Sequence, residues 1–263
     1  MEITLVQGIS LAVLGIILGI DFWLEAFFIF RPIIVCTLTG IILGDVQLGL
    51  IAGGLTELAF AGLTPAGGTQ PPNPVLAGIM TVVIAFKTGA DPKAAIGLAL
   101  PFSILMQYII LFFYSSFSFF MAKADKAAEE ADTAAIVRLN VLLTVIISVV
   151  YGVVVFLSSY VAQDAMQSLV ASMPAWLTHG FEIAGGILPA VGFGMLLRVM
   201  LKAQYIPYLI VGFFIASFIP ITNLLPVAVI GAALATYEYF RSKEQMILAP
   251  RSIQEGDGTE DGI

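Results

Sequence analysis

Glu57 stands in an otherwise apolar reach, with Thr56 beside it and Thr64, Thr69, Gln70 and Asn73 close behind, in GGLTELAFAGLTPAGGTQPPNP, residues 53–74. One carboxylate among neutral hydroxyls and amides suits a polyhydroxyl ligand. Each group can donate to or accept from sugar hydroxyls, and only one charge has to be desolvated. A carboxylate at membrane depth costs about 2.5–3.5 kcal/mol and therefore faces a cavity or a partner. The competing reading is an ion pair with Arg31 or Arg198 that only holds helices together. Gly67–Pro74 also reads as an ordinary turn, where Thr, Gln and Asn are common. Asp45, in ILGDVQLG, either caps the helix that follows or joins the ligand contacts. Asp21 and Glu25 flank short apolar segments and fit interface positions as well as ligand contacts.

Other chemistries find little material. The single cysteine, Cys36, excludes an internal disulfide and any multi-Cys metal site, and reads as a small core residue. The single histidine, His179, follows the amphipathic segment AMQSLVASMPAWLT and reads as a packing or interfacial residue rather than a phosphoryl carrier. Nothing resembles a phosphate cradle or a metal-ligand cluster, so no cofactor is expected. A net charge of −7 with no basic patch argues against nucleic acid. Much of the acidic excess sits in the tail EGDGTEDGI.

The elements that must carry these groups are membrane helices. Hydrophobic residues make up 59 % of the 263 and charged ones 11 %, with mean hydropathy +1.01. A soluble domain carries about a quarter charged residues, so the solvent is lipid. The N-terminus lacks a basic n-region and a cleavage site and is expected to be retained. Uncharged runs at 3–20, 94–122, 139–163 and 203–237 are candidate spans, the last broken by three prolines and long enough for two crossings with a turn near Ile219–Asn223. Residues 32–44 and 46–66 are too short or too interrupted to cross, and GFEIAGGILPAVGFGML, 180–196, reads as a further broken segment. The fold class expected is an all-α polytopic membrane protein whose transmembrane helices are joined by short broken or re-entrant helical hairpins.

Four regions follow: an N-terminal membrane part, 1–122; a polar helical linker, 123–138; a C-terminal membrane part, 139–240; and an acidic flexible tail, 241–263. Lysines and arginines in the linker and around Arg241 place both regions in the cytoplasm by the positive-inside rule.

The residues FRPIIVCTLTGIILGDVQLGLIAGGLTELAFAGL resemble the signature region of the mannose-type (mannose/fructose/sorbose) sugar permeases of the bacterial phosphotransferase system, in their IIC subunit. The resemblance rests on Arg31-Pro32, Gly40, Gly44-Asp45, Gly53-Gly54, Thr56-Glu57 and Gly62, and continues through MPAWLTHGFEIAGGILPAVGFGMLLRVM and KAQYIPYLI to about residue 240. Within that family, TPAGGTQPPNP and DFWLEAFFIFRP are most similar to the members specific for N-acetylgalactosamine. The resemblance implies a sugar-translocating subunit of the bacterial inner membrane. It further implies a IID membrane subunit, IIA and IIB phosphocarriers that phosphorylate the sugar during uptake, and a trimer of C–D heterodimers. The substrate-binding candidates are then Glu57, Thr56, Thr64, Gln70, Asn73 and Asp45. The alternatives are a self-sufficient secondary transporter that uses Glu57 as an ion-coupling site, or a membrane scaffold for a soluble enzyme. The scaffold gives no reason for an intramembrane glutamate among hydroxyls and amides.

Overall fold

A computed structural model describes residues 2–63, 71–218 and 225–248, all of them helical or in short connections. The α-helices run α1 Leu5–Leu24, α2 Pro32–Leu43, α3 Val46–Phe60, α4 Pro74–Thr88, α5 Pro92–Phe117, α6 Met121–Glu129, α7 Thr133–Phe156, α8 Gln163–Ser172, α9 Ala175–Met200, α10 Ile206–Phe218 and α11 Leu225–Leu248. The chain divides into two compact units, Met1–Val199 and Met200–Ile263.

The hairpin that the sequence marks as too short to cross is α2 and α3. Pro32 opens α2 at a position where its missing N–H costs nothing. Gly44 closes α2 in the left-handed region at φ 87°, and the Asp45 side chain then caps α3 by accepting from Leu48 N at 2.9 Å. With 12 and 15 residues, the arms reach about 18 and 22 Å at 1.5 Å per residue, short of the ~30 Å hydrocarbon. The arms touch through backbone. A Cβ on Gly49 would lie 2.7 Å from the Cys36 carbonyl oxygen, and one on Gly40 would lie 2.8 Å from Gly49 Cα.

Helix α4 is also a half-length element, and it is apolar on every side. Every residue from Pro74 to Ala85 is buried, as expected of a helix without a polar face. At its C-terminal end Lys87 is buried as well, and its Nζ donates to Asp164 Oδ1 on α8 at 3.2 Å. The pairing keeps a buried cation from standing alone.

Helices α1 and α7 pack antiparallel. Gly8 lies against the Tyr160 side chain, Gly15 against Val155 and Gly19 against the Tyr151 ring, each so close that a Cβ would come within 2.8 Å. Gln163, just after the π-helical turn Leu157–Val161, exchanges side-chain hydrogen bonds with the backbone of Ile3. At the other end of α1, Trp23 packs on Tyr114 and Phe117 of α5. The N-terminal segment therefore lies at the end of the first unit opposite the α5–α6–α7 connection.

Residues 123–138 form α6, a tight turn closed by left-handed Ala131 (φ 53°), and the start of α7, capped by Asp132. Almost all of them are exposed.

Two expectations change. Residues 180–196 are not broken: α9 runs unbroken from Ala175 to Met200 through Pro189 and its glycines. Two of the glycines there allow close backbone approach instead. Gly192 faces the Leu58 and Ala59 carbonyls, and Gly185 faces the Lys93 carbonyl. Lipid offers the backbone no competing partner, so a helix there tolerates residues that would break it in water. The spans change with it. Four helical stretches among the described residues are long and apolar enough to cross a membrane, Leu5–Leu24, Pro92–Glu129, Thr133–Val161 and Ala175–Arg198. The run 203–237 instead supplies the short α10 and part of α11, and its expected turn lies outside the described residues.

In the second unit, Tyr208 Oη of α10 donates to Glu238 Oε2 of α11 at 2.9 Å. Helix α11 continues past Phe240 to Leu248, into the stretch read from sequence as the start of the tail.

Candidate functional site

An antiparallel hairpin brings the first residues of one arm beside the last residues of the other. Arg31 immediately precedes α2 in extended backbone (φ −62°, ψ 136°), and its side chain makes no capping bond to its own helix. Glu57 lies in the closing turns of α3. Across the hairpin base Arg31 Nε donates to Glu57 Oε1 at 2.7 Å, Arg31 Nη2 donates to the same oxygen, and Ile33 N donates to Oε2 at 3.1 Å. The carboxylate thus sits on the N-terminus of α2, where the helix dipole and the unsatisfied first-turn N–H groups favour an anion. This offsets its unfavourable place near the C-terminus of α3.

The pair is held without being sealed. The side chains of Arg31 and Glu57 keep 36 % and 22 % of their surface, so a small polar molecule can reach both. A carboxylate has about four lone-pair sites and a guanidinium five N–H donors, so the three bonds above leave acceptor capacity on Oε2 and further donors on Arg31. What remains is one strong acceptor beside a planar donor fork, which complements vicinal hydroxyls or a hydroxyl next to a carbonyl.

The other predicted residues scatter. Thr56 is fully buried against α2, its hydroxyl donating to Ala52 O at 2.7 Å, roughly 100° round the helix from Glu57. Asp45 is the cap at the hairpin tip, about 18 Å along α3 from Glu57 at 1.5 Å per residue. Asn73 is fully buried at the start of α4. Its Oδ1 accepts from Leu76 N at 3.0 Å and its Nδ2 donates to Tyr151 Oη at 2.6 Å. Its carbonyl accepts from Ser103 Oγ at 2.8 Å. Thr64 and Gln70, with Thr69, lie outside the described residues. Among the described members of the set, Glu57 and Asp45 are half-exposed, and Glu57 alone is paired with a guanidinium. Sequence reasoning weighed Arg31 only as a structural counter-ion; a separation of 26 residues carries no local signal that the two meet at the hairpin base.

The remaining singletons lie apart from this pair. Cys36 is buried with its thiol 3.3 Å from the Gly78 carbonyl, and His179 is exposed on α9 beside Glu182 at 3.3 Å. Among the described residues no group of three or more His, Cys, Asp or Glu side chains is placed to hold a metal.

Four helical stretches long and apolar enough to cross, with a hairpin and a central helix too short to do so, mark a multi-pass membrane protein. The family model described as the sorbose-specific IIC component of the PTS system matches residues 5–237. The chain belongs to that family. It is 67 % identical over 260 residues to N-acetylgalactosamine permease IIC component 1 of Escherichia coli (strain K12), covering 99 % of this chain and 97 % of that protein. A solved chain described as a membrane protein superposes with a TM-score of 0.82 at 28 % identity, covering 90 % of this chain and 96 % of its own length. A chain of the mannose transporter ManYZ in complex with microcin E492 superposes at 0.58 with 30 % identity, over 91 % and 96 %.

Proposed function

We propose that this IIC component translocates N-acetylgalactosamine across the bacterial inner membrane as part of a phosphotransferase permease. The 67 % identity to an N-acetylgalactosamine permease IIC component across nearly the whole chain carries this reading. The half-open Arg31–Glu57 pair supplies the chemistry: Oε2 accepts a sugar hydroxyl, and the guanidinium donates to a neighbouring hydroxyl or to the acetamido carbonyl. Thr56, Asn73 and Asp45 support the elements that present it. The chain works with a IID subunit as a trimer of C–D heterodimers, and phosphoryl transfer to the sugar belongs to IIA and IIB partners. Inverted membrane vesicles holding the C–D complex and loaded with N-acetylgalactosamine in the lumen, given IIB and phosphorylated IIA from outside, are expected to release the sugar as its phosphate, the phosphoryl group passing from IIA to IIB to the sugar. An ion gradient alone should drive no accumulation; accumulation under the gradient alone would replace this reading with a secondary transporter.

Charge sets the orientation. With the Lys123–Arg138 region in the cytoplasm, antiparallel packing of α1 against α7 places the N-terminus outside. Cysteines at Glu2 and at Ala128, both exposed, test this. An impermeant reagent added to intact cells should label the first and spare the second, and the reverse pattern would invert the topology.

A further inference from the structure

We infer that Asp21 is a positioning residue for the sugar site: its buried carboxylate shapes the α1–α2 connection so that Arg31 and Ile33 N meet Glu57. The inference rests on the reading of Arg31–Glu57 as the sugar contact.

Asp21 lies in the last turn of α1 and is 4 % exposed, among the few buried charged residues of the chain. Within the apolar interior such a carboxylate needs full compensation. It receives this from the connection itself: Oδ1 accepts from Phe27 N at 2.7 Å and Oδ2 accepts from Phe30 N at 3.3 Å. The two bonds pin the connection at both ends of its turn, and the second falls on the residue directly before Arg31. Around them the backbone adopts a costly shape. Glu25 at φ 47° and Phe28 at φ 58° are non-glycine residues in the left-handed region, a conformation that persists only when its surroundings over-determine it. Phe30 is 8 % exposed and packs edge-on against Phe22 of α1 at 5.2 Å, and its ring also lies 5.6 Å from that of Phe28. Its amide bond to Asp21 and its ring thus fix the same residue, and the next one delivers the guanidinium. Arg31 N in turn donates to Phe28 O at 3.3 Å, tying the strained residue to the arginine.

The test uses the purified C–D complex and N-acetylgalactosamine, with affinity measured by calorimetry and integrity by melting temperature. In Asp21→Asn the amide NH₂ faces a backbone N–H, so one of the two bonds is lost with little change of volume. Asp21→Glu keeps the charge but sets the carboxylate a methylene further out, and serves if the asparagine variant fails to assemble. Either variant should assemble and bind the sugar about 5- to 20-fold more weakly, a loss between half a decade and somewhat over one decade in Kd. In a Glu57→Gln background the Asp21 substitution should cost clearly less than in the parent, because the Arg31–Glu57 pairing it serves is already weakened. Glu25→Gly, which suits the left-handed backbone, should bind as the parent does. Lower melting temperature with unchanged affinity would reduce Asp21 to a structural role, and equal losses in both backgrounds would show that it acts independently of Glu57; either result overturns the proposal. Unchanged affinity in Glu57→Gln alone would remove the sugar-site reading itself, and the positioning role with it.

Discussion

Glu57→Gln is expected to weaken N-acetylgalactosamine binding by one to two decades while the C–D complex still assembles. A charge-assisted hydrogen bond is worth about 1.5–3 kcal/mol, and one decade in Kd corresponds to about 1.4 kcal/mol. Glutamine keeps the shape and one acceptor oxygen. It loses the charge, and its NH₂ must take the place of one carboxylate oxygen facing either Arg31 or Ile33 N. The arginine left behind keeps about a third of its surface, so the cost to folding is smaller than for a fully buried cation. If the pair only holds the hairpin together, the same substitution should lower complex yield and melting temperature and leave the affinity of the surviving complex intact. Calorimetry and thermal melting on one purified sample separate the two. Arg31→Met should be harsher on assembly, because it leaves the half-buried carboxylate with Ile33 N as its one remaining partner.

Gly49→Leu is expected to abolish assembly, with a large drop in yield of folded complex. Its Cβ would stand 2.7 Å from the Cys36 carbonyl oxygen and 3.0 Å from Gly40 Cα, and neither can move like a flexible side-chain end. Overpacking a core costs about 1–3 kcal/mol where side chains can yield. Here the two helices themselves must separate, so the cost exceeds that range and takes the Arg31–Glu57 contact with it. Gly54→Leu is the matched control, since nothing lies within 4 Å of its Cβ position. Gly53 is intermediate, with Ile33 O at 3.0 Å, and leucine there should disturb the residue that bonds Glu57. Equal yields from Gly49→Leu and Gly54→Leu would show that the hairpin arms are free to part.

The amino-acid order alone determined the solvent, the helical class, the short hairpin and the residue most worth testing. These are local properties. Composition selects lipid, Pro32 and Gly44-Asp45 punctuate helices wherever they occur, and a carboxylate in an apolar run is costly whatever its neighbours. Tertiary structure decided which polar groups are spent. Asn73 reads as a ligand contact or a turn residue, and Asp45 as a ligand contact or a cap, until their partners are known. Leu76 N, Tyr151 Oη and Ser103 Oγ commit Asn73 to the core, and Leu48 N commits Asp45 to the hairpin tip. The pairing of Arg31 with Glu57 depends on the register of two helices, and no periodicity encodes that register. Asp21 reads as well as an interface residue as a ligand contact, because a buried carboxylate and a solvated one have the same letter. Only the folded α1–α2 connection, with its two left-handed residues and two amides turned onto the carboxylate, distinguishes them. The glycines of α9 make the same point in reverse. In sequence they read as helix breakers; in the fold the helix runs on through them, and Gly185 and Gly192 are sites of backbone contact.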